Sequence, residues 1–80
     1  MHKHKIEAVL NEGIDAEGVG FPESVTVTGA GFLAPSAISA IAQTVVDSYV
    51  GQEFGDYAAV MPDWGMRSDT MQIKVIKRRF

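Results

Sequence analysis

"VTVTGAGFLAPSAISAIAQ", residues 25–43, decides how this chain is to be read. It runs from a β-branched segment through G-x-G-x-x-A into a segment with helical spacing. In a dinucleotide-binding fold that turn opens the helix itself, so that backbone amides face a pyrophosphate. Gly29, Gly31 and Ala34 satisfy the letters, but the context does not follow. Pro35 marks the first helical position, so the glycines precede the helix instead of forming its first turn. The acid expected some 20 residues on would cap a second parallel strand; here it is Asp47, inside the helix. Eighty residues cannot hold the repeated βαβ units that build the crevice. No P-loop lysine follows either. The stretch therefore reads as a strand, a sharp turn off the sheet made possible by two glycines, and a helix.

Outward from it, "SVTVT" (24–28) is a strand with period two. The helix is expected over about Pro35 to Val50, with Gly51 as its C-cap and Ile38, Ile41, Val45, Val46 and Tyr49 as its apolar stripe. Residues 4–10 are expected to form a strand with Ile6, Ala8 and Leu10 on one face. Residues 11–23, with three glycines, a proline and four acids, read as a long loop. "DYAAVM" (56–61) reads as a third strand and "PDWG" (62–65) as a turn. In residues 70–79 Met71, Ile73 and Val75 point inward and Gln72, Lys74, Ile76 and Arg78 outward. The expected fold is one α+β domain spanning 1–80, a small antiparallel sheet of order ββαββ with one amphipathic helix packed on one face.

The composition narrows function by exclusion. The chain has no cysteine, so it can make no disulfide, thiolate metal site or cysteine nucleophile. Ser24 to Val46 carry no charge, but Gly29, Gly31 and Pro35 break the stretch where a spanning helix must be continuous. The expected address is the cytoplasm. His2 and His4 could share a strand face and, with Glu7 or a C-terminal partner, hold a metal, yet no further histidine exists and Lys3 and Lys5 repel a cation. The acids Glu12, Asp15, Glu17 and Glu23 match no register of a calcium loop. No hydroxyl has a base beside it. Neither catalysis nor a cofactor is expected.

Charge is unevenly placed. Residues 1–5 carry +2, residues 6–70 carry −9 and residues 71–80 carry +4. An acidic middle repels nucleic acid and attracts basic protein surfaces. Trp64 sits in the 62–65 turn. Taken alone, a tryptophan is expected to fold over the core; projecting, it would anchor an interface. Asp56, Asp63 and Asp69 surround it, with Arg67 the one base nearby. These five residues form the candidate partner-binding surface. The outer helix face, Ser36, Ala40, Gln43, Thr44 and Asp47, is small and almost uncharged, and is the candidate self-association face of a homodimer. The expected function is a non-enzymatic protein-binding module that docks on a partner and blocks or bridges it, as small accessory, inhibitor or phage-encoded proteins do. One alternative is a small nucleic-acid-binding regulator using Lys3, Lys5, Lys74, Lys77, Arg78 and Arg79. Another is a subunit of a larger viral assembly.

Overall fold

A computed structural model describes residues 5–50, 57–66 and 68–77. Strands β1 (Glu7–Ile14) and β2 (Gly20–Thr28), helix α1 (Pro35–Val50), and strands β3 (Tyr57–Ala59) and β4 (Thr70–Lys77) follow one another along the chain. A single 3-10 turn, Trp64–Met66, lies between β3 and β4. The sheet is four-stranded, ordered β1-β2-β4-β3, with every neighbouring pair antiparallel. The helix carries the chain across from β2 to β3, and β4 then returns between them. This is the expected α+β architecture with the expected element order.

The core lies between the helix and one sheet face. Val25 and Val27 of β2 sit opposite Ile73 and Met71 of β4, and all four are buried. Ile38, Ala42 and Val46 cover them from the helix. Each large aliphatic side chain so buried contributes roughly 1.5–3 kcal/mol. The alternation in β4 matches the expected one: Met71, Ile73 and Val75 are buried, and Gln72, Lys74 and Ile76 are exposed. The helical stripe differs at its centre. Ala42, at 0 % exposure, occupies the midline, while Ile41 and Val45 are half-buried and Tyr49 is exposed. A small residue there brings helix and sheet close together, and the larger residues fill the flanks.

The first hairpin is the main departure. Residues 11–23 are not a loop. β1 continues to Ile14, the chain turns over Asp15–Val19, and β2 begins at Gly20. Asp15 closes the turn, its Oδ1 accepting the N–H groups of Glu17 (2.9 Å) and Val19 (2.8 Å). Gly18, at φ 82°, supplies the left-handed residue. Opposite Asn11 and Glu12 the ladder skips Glu23, a bulge that turns Pro22 into the core. Pro22 costs no ladder bond to β4, because that pairing begins only at Ser24.

The two glycines of the opening stretch have packing reasons. Gly29 takes φ 86°, and a Cβ there would stand 2.4 Å from the Lys5 carbonyl oxygen. A Cβ on Gly31 would stand 2.9 Å from the Ser68 carbonyl oxygen. The third strand is shorter than expected, three residues, although Val60 N–H still donates to the Lys74 carbonyl. Its first expected residue, Asp56, lies outside the described residues, as do Arg78 and Arg79 of the last strand.

Candidate functional site

Both strands that lead into the helix end of the sheet carry their loops to one place. Gly29 N–H donates to the Asp69 carbonyl at 2.8 Å, which ties the loop after β2 to the segment entering β4. Gly31 packs on Ser68. The Ser68 hydroxyl donates to the Thr70 carbonyl. Asp63 Oδ1 accepts Gly65 N–H at 3.0 Å and so holds the 3-10 turn in shape. On this scaffold Trp64 is 60 % exposed, not folded over the core. Phe32 and Met61, at the same end of the sheet, are 57 % and 59 % exposed. Asp63 and Asp69 are exposed beside them. A shallow cleft of about 360 Å³ runs between Pro62, Asp63, Ser68, Thr70, Met71 and Gln72. Trp64, Asp63 and Asp69 are thus on one end, while Asp56 and Arg67 lie outside the described residues. Phe32 and Met61 were not singled out from the sequence. The sheet order that gathers these loops carries no local signal.

The outer helix face is divided. Ser36, Ala40, Thr44 and Asp47 are exposed. Gln43 is half-buried and turned to β3: its Oε1 accepts Ala59 N–H at 2.8 Å, and its Nε2 donates to the Tyr57 carbonyl at 3.3 Å and to Asp47 Oδ1 at 2.9 Å. Ser39 donates to the Ala59 carbonyl at 3.3 Å. Helix side chains therefore bond three main-chain groups on the outer edge of β3, the Tyr57 carbonyl and the Ala59 N–H and carbonyl.

The basic residues do not form one patch among the described residues. β1 and β4 do not pair, since β2 lies between them. Both run antiparallel to β2, so Lys5 and Lys77 stand at opposite ends of the sheet. Lys5 is 3.6 Å from Glu7 in an exposed ion pair. Lys74 is on the solvent face of β4, and Lys77 Nζ is 6.0 Å from the Tyr57 ring centroid on the other face. Lys3, Arg78 and Arg79 lie outside the described residues.

At the end opposite Trp64 is a second cleft, of about 420 Å³, between the β1–β2 turn, the last turn of the helix and the start of β3. Phe21, Tyr49 and Tyr57 line it with Asp15 and Lys77. The Tyr49 hydroxyl donates to the Glu12 carboxylate; this bond, then burial, then the Glu12 charge raise its pKa above the ordinary 10.0. Sequence reading missed this cleft because Phe21 stood in a supposed loop. Among the described residues no cluster of three metal-ligating side chains occurs, and no helix is long and apolar enough to cross a membrane.

Comparison with protein-family models, with curated proteins and with solved structures gave no match.

Proposed function

We propose that this chain is a non-enzymatic protein-binding module that docks through the Trp64 end of the sheet on a partner with a basic surface. The observation that carries the reading is the exposure of Trp64, 60 % on a turn whose shape Asp63 holds. A large rigid aromatic side chain held out on an ordered turn is the kind of group that dominates interface energies. Asp63 and Asp69 beside it supply an acidic rim, which steers a basic partner and speeds encounter. Docking there blocks or bridges whatever the partner surface otherwise contacts. The test is affinity capture from a lysate with the wild type and with Trp64→Ala in parallel. A protein captured by the first and absent from the second, with both baits equally folded by circular dichroism, supports the reading. Identical capture by the two refutes it.

A further inference from the structure

The sheet has two edges, and the protein treats them differently. At β3 the edge-facing Tyr57 carbonyl and both main-chain groups of Ala59 are taken up by Gln43 and Ser39. At β1 the corresponding groups follow from the ladder. Gly29 N–H bonds to Asp69, so the odd residues of β2 face β4 and Ser24, Thr26 and Thr28 face β1. Their partners Asn11, Val9 and Glu7 face back. Asp15 N–H donates to the Val19 carbonyl at 3.0 Å, which continues the same phase to the end of the hairpin. The bulge sits in β2, so β1 itself remains regular. Ala8, Leu10, Glu12 and Ile14 therefore point their N–H and C=O groups out of the sheet. Among the described residues no side chain or loop hydrogen-bonds them. An open edge of this length invites another strand.

We propose that the occupant is a second copy of this chain, pairing β1 with β1 antiparallel about a two-fold axis at Leu10. The geometry permits several registers, and side-chain chemistry chooses among them. Those that overlap the strands most fully centre on Leu10 or Asn11. Centring on Asn11 sets Glu7 opposite Asp15 and Leu10 opposite Glu12, a like-charge pair and a carboxylate over the core. Centring on Leu10 sets Ile6, 38 % exposed, opposite Ile14, 66 % exposed. It sets Lys5 opposite Asp15, a pair of opposite charge. It also places each acid of the strand against a small residue, Glu7 against Gly13 and Glu12 against Ala8. Leu10 meets its own copy and extends the core across the axis. The result is an isologous dimer with one continuous eight-stranded sheet and both helices on the same face. The inference does not rest on the Trp64 reading, and neither residue class enters the other's test.

Sedimentation equilibrium of the full chain tests it. The wild type is expected to show a monomer–dimer equilibrium. Ile14→Lys, at an exposed position, keeps the fold and melting temperature and weakens the dimer roughly tenfold or more, because two cross-strand pairs are lost per dimer. Ile6→Glu combined with Ile14→Lys then recovers dimer relative to either single change, since the new charges oppose each other only in the Leu10-centred register. Amide exchange on the wild type is the second readout and holds even if Ile14→Lys lowers stability. The Ala8, Leu10, Glu12 and Ile14 amides slow as concentration rises, while Val9 and Asn11 do not respond. A wild type monomeric at about 1 mM would overturn the proposal. So would a dimer indifferent to Ile14→Lys, no recovery in the double variant, even-numbered amides insensitive to concentration, or a dimer that Ala40→Arg dissociates through the helix face.

Discussion

Replacing Gln43 by alanine tests how the sheet is finished on its β3 side. The carboxamide spans two main-chain groups of β3, at 2.8 Å and 3.3 Å, as a neighbouring strand would. Each hydrogen bond of this kind contributes about 1 kcal/mol net. Losing both costs about 2 kcal/mol, and alanine's better helix propensity returns about 0.4 kcal/mol. The expected loss is about 1.5 kcal/mol, which for a domain of this size lowers Tm by roughly 6–12 °C. Thr44→Ala is the control. Thr44 is exposed and, among the described residues, bonds only back to the Ala40 carbonyl, at 3.0 Å, so its removal should leave Tm within about 2 °C. Gln43→Glu should fall between wild type and alanine. It keeps the acceptor for Ala59 but sets a carboxylate against the Tyr57 carbonyl and Asp47. Differential scanning calorimetry of the four proteins reads the series. A Gln43→Ala protein that melts with Thr44→Ala would refute the claim that this side chain secures β3.

Further consequences follow from single residues. Gly29→Ala should cost about 2 kcal/mol or more, from the left-handed backbone and the collision with the Lys5 carbonyl. Gly18→Ala, with the same sign of φ and open space around it, should cost only about 1 kcal/mol, so equal losses in urea titrations would refute the crowding at Gly29. The raised Tyr49 pKa means that the folded protein holds that proton more tightly than the unfolded chain. Its contribution is complete below pH 10.0 and is lost as pH climbs through the higher folded value. Ultraviolet titration should show one late-ionising tyrosine that Tyr49→Phe removes and Glu12→Gln brings forward. Asp69→Lys, at an exposed acid whose side chain does not shape the turn, should slow association with a basic partner and flatten its salt dependence while leaving dissociation nearly unchanged.

The strand at 24–28 and the helix from Pro35 were legible because each carries its own period and its own punctuation. Proline opens the helix and β-branched residues alternate in the strand. The inner part of the first hairpin, residues 11–23, was not legible, because glycine reads as a breaker from sequence alone. Gly13 is glycine for another reason: a Cβ there would lie 2.6 Å from the Phe21 ring. Gly20 likewise makes room for Glu12 and Tyr49 within the ladder. Ala42 escaped notice because a stripe weighted by side-chain size passes over the small residue at its centre. The acids around the Trp64 turn could be read directly, but not the direction of the indole, which depends on how Asp63 closes the turn. The open β1 edge depended on sheet order, and pairing of β2 with β4 joins residues 42 to 50 positions apart.

The most direct test of the docking account is the affinity of a captured partner for wild type and Trp64→Ala, measured by surface plasmon resonance with the melting temperature of each protein recorded beside it. A central aromatic anchor predicts a loss of about 2 kcal/mol or more, carried mainly by faster dissociation, in a variant that remains folded. A folded Trp64→Ala that binds with wild-type affinity and dissociation rate would contradict the account and remove this end of the sheet from the interface.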